Sequence, residues 1–494
     1  MTKHPRPQRL ATVFPWRVAL LAVAVAALIC APPPLSAQAK EASAPVPLQG
    51  KADELIGLHA GRFADSAGLC AVDLRSGKLL LSHNPDKKLL PASNQKLLTS
   101  AAAVARLGSD FRFVTAVYRV GEDLLIAGTG DPLLGDPHLA GQAERSIYAD
   151  LDAWAAKVKK TLPDGVAGDL LLLQKRRASR FRHPTWPKDQ HQRWYCAPVA
   201  SLNFHNNCLD ITFPKGSDGR PTPAVSPASR YITIRDRTRR GKRQAWYALL
   251  DDHAGTVTLR GRVAKTSSHA IPVAVDHPPM LLGRVFADRL ARAGVKVGGS
   301  LRSVGGNDAF SEKAVLIART ATPLTDVLAR ANGRSLNMAA EAMFLRAGDL
   351  SWAGSAKITT RVLHKSFGVD PNAVEIADGS GMSRSNRVSA AAMVQLLRAI
   401  PRHRHGKAVL NSLPRTGQKD TSLHDRLTRR PYAGRAGAKT GTLSGVYCLS
   451  GYVLDAEGKP AVAFSVLANR ASKGPAEQLA DRVVVSIVDW VDGR

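Results

Sequence analysis

Ser93 and Lys96, in Ser93-Asn94-Gln95-Lys96, stand three residues apart and fall on one face of a helix, one turn from each other. An amine so placed reaches the hydroxyl and can take its proton, which makes the pair a nucleophile with its own base. Leu97, Leu98, Ala101, Ala102 and Ala105 supply an apolar stripe and Gly108 a stop, so the spacing predicts a helix with Ser93 at its N-terminus. There the free backbone N–H groups and the positive end of the helix dipole favour developing negative charge. An N-cap serine ahead of a solvated lysine reads the same over four residues, so the rest of the chain must decide.

Two further motifs bear on the decision. Lys439-Thr440-Gly441-Thr442 sits in a strand pattern, and a lysine on an edge strand, beside a glycine that admits a substrate backbone, suits an extended peptide with a terminal carboxylate. Ser-x-Asn occurs twice. Ser335-Leu336-Asn337 follows the turn Asn332-Gly333-Arg334 and leads into a helical run over 338–346, which places its hydroxyl and amide on a loop between helices. Ser201-Leu202-Asn203 lies after Pro198 and is read as a structural capping pair, and Arg415-Thr416-Gly417 as a loop.

These residues need elements to hold them. A hairpin is predicted from residues 69–74 and 79–82 around Arg75-Ser76-Gly77-Lys78. Strands are predicted at 113–120, 124–126, 169–173, 210–213, 231–234 and 256–263, with helices near 151–159 and 280–293. Thr322-Pro323 reads as an N-cap and N1 proline opening another helix. The C-terminal part reads as strands at 434–443, 446–454 and 461–468, then a helix from Pro475 with Leu479, Val483, Val484, Ile487 and Val491 on one face.

Residues 1–39 read as a secretory signal peptide: Lys3, Arg6, Arg9 and Arg17 precede an apolar run at 18–31, and Ala37-Gln38-Ala39 offers small residues for cleavage. Bulky Leu28 and Ile29 precede Cys30 where a lipoprotein would carry small residues, so lipidation is not expected. The chain carries a formal net charge of +29, of which about +25 remains beyond residue 39. An exported basic protein suits anionic partners such as carboxylate-rich wall peptides, acidic polymers or lipid head groups. Basic clusters occur at Lys175-Arg176-Arg177 and at Arg235, Arg237, Arg239, Arg240, Lys242 and Arg243, without the interleaved aromatics of a nucleic-acid platform. Export permits disulfides among Cys70, Cys196, Cys208 and Cys448, and the short gap favours Cys196 with Cys208. No His or Cys spacing resembles a metal site, and no cofactor motif is present: Gly128-Thr129-Gly130-Asp131-Pro132 lacks the residues of a phosphate-binding loop.

Ser-x-x-Lys, Ser-x-Asn and Lys-Thr-Gly in that order are the signature set of penicillin-binding proteins and serine β-lactamases. With Asp378-Gly379-Ser380-Gly381-Met382-Ser383-Arg384-Ser385-Asn386, Gly130-Asp131-Pro132 and Ala197-Pro198-Val199, the chain resembles the D-alanyl-D-alanine carboxypeptidase/endopeptidase family, the class C low-molecular-mass penicillin-binding proteins. The 242 residues from Ser93 to Ser335 match that family's large insertion. The resemblance implies an α+β fold: a catalytic domain with an antiparallel sheet flanked by helices, from 40–112 and 316–494, interrupted by an insertion domain at 113–210 and 273–315 with a nested one at 211–272. It implies a serine DD-peptidase acting on peptidoglycan stem peptides and acylated by β-lactams. Ser93 would be the nucleophile and Lys96 its base, its pKa lowered by positive neighbours such as Lys439. Ser335 and Asn337 would relay a proton and hold substrate, and Lys439, Thr440, Gly441 and Thr442 would bind the terminal carboxylate. The N–H groups of Ser93 and Thr442 would form the oxyanion hole. The segment Asp189-Gln190-His191-Gln192-Arg193-Trp194-Tyr195-Cys196, with basic residues upstream of it, departs from the acidic stretch expected there, so no substrate contact is carried over from the insertion domain. The rival readings are a β-lactamase, for which no water-activating Glu stands between Ser335 and Lys439, and a non-catalytic wall-binding protein, which has no use for Ser93 and Lys96 together.

Overall fold

In the computed structural model, residues 47–174, 180–305 and 314–493 are described. The expected signal peptide, Cys30 and the cluster Lys175-Arg176-Arg177 lie outside them. Strand β1 (Ala67–Asp73) turns through Asp73, whose carboxylate accepts from the backbone of Arg75 and Ser76, into β2 (Leu79–His83). Every residue of β1 is buried, as a central strand requires. Its other neighbour comes from the far end of the chain.

The chain then leaves this hairpin, forms the helix Gln95–Leu107, and enters β3 (Arg112–Val120), β4 (Asp123–Gly128) and β5 (Leu170–Gln174). With β12 (Leu301–Gly305) and β13 (Ala314–Pro323) these make a mixed sheet in the order β12-β5-β4-β3-β13. The helices Ala149–Thr161 and Pro278–Arg292 pack on it, with Trp154 and Phe286 edge to face at 5.8 Å. Between β5 and β12 lie two small sheets. One is β11-β6-β7, from β6 (Cys208–Phe213), β7 (Ala224–Ser226) and β11 (Ser267–Ala274). The other is β8-β10-β9, from β8 (Thr233–Arg240), β9 (Ala245–Asp251) and β10 (Thr256–Val263). Their inner faces join the same apolar core through Ile211, Phe213, Val257 and Leu259.

The chain returns through the helices Leu324–Gly333, Asn337–Ala347 and Trp352–Phe367, a short ladder of β14 (Val374–Glu375) and β15 (Arg387–Val388), and the helix Ala390–Ala399. It ends on β16 (Ala436–Leu443), β17 (Val446–Leu454), β18 (Pro460–Asn469) and the helix Lys473–Val491. The first sheet is thereby completed in the order β16-β17-β18-β1-β2, all antiparallel, with Ala67 opposite Ala468 and Asp73 opposite Val462. One sheet built from both ends of the chain places β16 at its edge, beside the Ser93 helix.

Several expectations are corrected. Thr322 does not cap a helix: it lies within β13, its hydroxyl donates to Asp131, and the helix begins at Leu324. The boundary expected at 315/316 therefore falls inside β13, and those at 210/211 and 272/273 fall inside β6 and β11. Cys196 and Cys208 do not pair; the four cysteines among the described residues are free and buried. Burial pushes the Cys448 thiol up to about 12 and the Cys196 thiol up to about 11, as for small apolar residues packed in a core.

Packing between the helix Ala390–Ala399 and this sheet includes a polar contact at the helix end. The Leu397 carbonyl would ordinarily accept from the residue four positions on, but Pro401 has no N–H. The buried Tyr452 hydroxyl from β17 donates to it instead, at 2.8 Å. Tyr452→Phe should lower the unfolding free energy by about 1–3 kcal/mol, read from urea denaturation, because the carbonyl stays buried without a donor. Acylation of Ser93 should be unchanged in the same variant.

Candidate active site

Ser93 lies in a single 3₁₀ turn, Ala92–Asn94, that precedes the helix Gln95–Leu107. It is not an N-cap, since that position is Asn94, whose side chain is used elsewhere. Asn94 donates to Ser450 Oγ at 2.7 Å, and Ser450 meets Ser465 Oγ at 2.9 Å, which ties the turn to β17 and β18 in the middle of the sheet. Ala92 has φ +45, a region that costs a residue with a Cβ about 1–3 kcal/mol. Two glycines hold it there. A Cβ on Gly381 would collide with the Ala92 carbonyl, and one on Gly441 would stand 2.7 Å from the Pro91 carbonyl. Gly441 thus admits the serine turn itself against β16, in place of the substrate backbone expected from sequence.

The helix Gln95–Leu107 is buried on every side over its first ten residues, Lys96 included. Lys96 Nζ has three oxygen neighbours: Ser93 Oγ at 2.9 Å, Asn337 Oδ1 at 2.7 Å and the Ser380 carbonyl at 2.9 Å. Asn337 Nδ2 donates to the Tyr195 carbonyl at 2.8 Å, which fixes the amide so that its oxygen faces the lysine. Two of the three neighbours are therefore acceptors only. A neutral amine that donates to both turns its lone pair to the third, the Ser93 hydroxyl. Burial holds the Lys96 amine down at about 7, against the opposing pull of Glu341 and Asp378. The cause is burial first, and not the positive neighbours invoked from sequence. Lys439, fully buried on β16 with Nζ 2.8 Å from the Thr440 carbonyl, is itself lowered by burial and then by the charge of Lys96.

The remaining predicted residues stand around this contact. Ser335 sits on the loop between Leu324–Gly333 and Asn337–Ala347 with φ +60, and its hydroxyl has no partner among the described residues. Thr440 is half-buried and Thr442 exposed on the open edge of β16. No hydrogen bond joins Ser335, Thr440 or Thr442 side chains to Ser93 or Lys96 among the described residues. The second Ser-x-Asn is structural: Asn203 is buried, accepting from Ala200 and donating to the Asp131 and Ala200 carbonyls.

Residues that the sequence reading left without a role complete the support. Asp378, fully buried, accepts from the Gly381 and Ser383 backbone, from Asn386 and from the Trp186 indole. Glu341, fully buried on the helix Asn337–Ala347, accepts from Gly379 and Ser380 at 2.8 Å each. Burial and the nearby Asp378 carboxylate push Glu341 up to about 8. The two acids hold the loop whose Ser380 carbonyl touches Lys96. Tyr195 and Trp186, from the expected insertion domain to which no contact was assigned, brace Asn337 and Asp378 from outside. The charged character of Glu341 amid Met338, Ala342 and Leu345 was the available signal, since a carboxyl inside a buried helix needs partners.

A base must be neutral to act, and the neutral fraction of Lys96 grows as pH rises through its pKa. The rate of Ser93 acylation by a fluorescent penicillin should therefore climb with pH around a midpoint near about 7. Lys96→Arg keeps the donors but has no lone pair to offer, and its labelling rate should fall by at least about a hundredfold across that range.

Known proteins are similar to this chain over most of its length. The model of the D-Ala-D-Ala carboxypeptidase 3 (S13) family matches residues 57–487. The D-alanyl-D-alanine carboxypeptidase of Actinomadura sp. (strain R39) is 31% identical over 454 residues, covering 86% of this chain and 81% of that protein. DacB of Haemophilus influenzae, also a D-alanyl-D-alanine carboxypeptidase, is 25% identical over 442 residues, covering 84% and 88%. The crystal structure of penicillin binding protein 4 (dacB) from Haemophilus influenzae superposes with a TM-score of 0.71 at 23% identity, covering 85% of this chain and 96% of that one. A second structure of that protein, complexed with a novel β-lactam, gives 0.66. The resemblance read from the ordered motifs and the fold class it implied are both borne out, and the chain belongs to the D-Ala-D-Ala carboxypeptidase 3 (S13) family.

Proposed function

We propose that the chain is a serine DD-peptidase that cleaves the bond after the penultimate D-alanine of peptidoglycan stem peptides, and D-Ala-containing cross-links, through an acyl-enzyme on Ser93. The observation that carries this reading is the Lys96 amine, which has Ser93 Oγ as its one neighbour able to donate. In the first step Ser93 Oγ forms a bond to the D-alanyl carbonyl carbon while its proton passes to Lys96. The oxyanion gathers at the backbone N–H groups of Ser93 and Thr442. The C–N bond then breaks, and Lys96 returns the proton to the leaving amine by way of the Ser335 hydroxyl. Water takes the place of the amine in the second step and frees Ser93. Asn337 holds the amine in register, and Lys439, Thr440 and Thr442 bind the terminal carboxylate on the open edge of β16.

A cavity of about 610 Å³ at the end of β16 supports an anionic peptide as substrate. Lys87, Arg384, Arg387 and Arg470 line it with Ser444, whose carbonyl accepts from Arg384 at 2.7 Å. The N-terminal export pattern supports a reaction outside the cytoplasm, with β-lactams acting as inhibitors at Ser93. Among the described residues no helix is long and apolar enough to cross a membrane.

Intact-protein mass spectrometry with a labelled penicillin tests the reading. A persistent one-to-one adduct on the wild type, its loss in Ser93→Ala, and release of D-alanine from a D-Ala-D-Ala stem peptide by the wild type alone are the expected results. Rapid turnover of the drug would assign a β-lactamase instead, and absence of any adduct on folded protein would remove Ser93 as nucleophile.

A further inference from the structure

The sheet β8-β10-β9 has one face in the core and one in water, and its register sorts the side chains. Arg237 stands opposite Arg260 and Arg239 opposite Arg262, while Arg235 stands opposite Thr258. On the far side of β10, Arg260 stands opposite Tyr247 and Thr258 opposite Leu249. Alternation along each strand puts all of these on the solvent face, with Val257, Leu259 and Ala248 on the buried one. Five arginines therefore share one flat surface, roughly 7 Å apart along a strand and about 5 Å across the pair.

This surface is not neutralised from within. Among the described residues none of the five guanidinium groups makes an ion pair or a hydrogen bond. Asp236 alternates to the other face of β8, and Asp251 stands at the far end of β9 opposite Thr256. Like charges held this close oppose folding, so the arrangement is favourable only once an anion covers it. Every member is arginine, whose planar fork takes two phosphate oxygens at once. Beside the arginines, Tyr247 is 52% and Leu249 45% exposed. A soluble polyanion gains nothing from an exposed leucine, whereas the boundary between phosphate head groups and acyl chains accommodates a leucine and a tyrosine next to cations.

We propose that the outer face of β8, β10 and β9 docks the protein on an anionic phospholipid surface. The guanidinium groups meet the phosphates, and Tyr247 and Leu249 enter the head-group layer. The contact is made by the small inserted sheet and uses none of the residues around Ser93.

The test is co-sedimentation of the exported, processed chain with vesicles of phosphatidylcholine alone or of phosphatidylcholine and phosphatidylglycerol in equal parts. The protein should pellet with the mixed vesicles, remain in solution with neutral ones, and be released by added salt. Arg237→Gln and Arg260→Gln should each weaken partition about fivefold, and the two together about twenty-five-fold. Tyr247→Ser with Leu249→Ser should weaken it as well. Penicillin labelling of Ser93 at the wild-type rate in each variant reports an intact fold, and the single variants serve if the double one does not fold. Equal binding to both vesicle types, binding unaffected by the arginine variants, or binding to soluble polyphosphate without binding to mixed vesicles would each overturn the proposal.

Discussion

The structure around Ser93 depends on a primary amine held where water does not reach. A charged ammonium in such a place costs on the order of several kcal/mol unless its protons are satisfied, so the pocket both discourages the proton and directs the lone pair. Three oxygens do the directing, and each comes from a different part of the chain: Ser93 from the turn before the helix, Asn337 from the second motif, Ser380 from the loop after β14. Displacing any one of them leaves a buried amine hydrogen or the lone pair facing the wrong group. This explains why so much of the surrounding structure consists of buried polar residues that hydrogen-bond one another or the backbone. Asp378 and Glu341 fasten the Ser380 loop, Asn94 fastens the serine turn to the sheet, and the Tyr195 carbonyl fastens Asn337.

The same constraint gives the insertion a part in the site. Its sheet stands apart from the sheet that carries Lys439, yet residues 180–196 reach back to place Trp186 on Asp378 and Tyr195 on Asn337. Joining of the two chain ends through β1 and β18 serves the complementary purpose, because it sets the edge strand β16 against the serine turn with only the hydrogen of Gly441 between them. A close approach of backbone to backbone, and not a side chain, brings the two lysines near one another.

The elements with strong local patterns were legible in the sequence: the β1-β2 hairpin, the helix stopped by Gly108, the strands β16 to β18 with their turn. So was the ordered set of motifs, because each rests on residue types close together in the chain. The sequence reading contains no strand at β9, β11, β12 or β13. Of these, β11, β12 and β13 are half-exposed strands whose apolar positions are diluted by arginine, serine and threonine, and their pairing partners lie far off in sequence. Thr322 looks like a cap because threonine before proline usually is one, but tertiary pairing with β3 carries the strand through it. Cys196 and Cys208 are close in sequence yet pack as ordinary core side chains. The role of Glu341 was hidden for the opposite reason, since its partners are backbone N–H groups that a sequence does not display. The depressed pKa of Lys96 was anticipated with a neighbouring charge as its cause, and its actual origin, burial on all sides of the helix, follows only from the packing of other helices around it.

The central claim is that Lys96 is a neutral amine near physiological pH before any substrate arrives. The most direct measurement is the titration of its side chain by NMR, with lysine labelled at Cε and Nζ and the signal assigned by comparison with Lys96→Arg. The account predicts a midpoint near about 7, far below that of the exposed lysines. A Lys96 signal that stays in the ammonium form up to the ordinary lysine range would contradict it, and Ser93 would then need a different base.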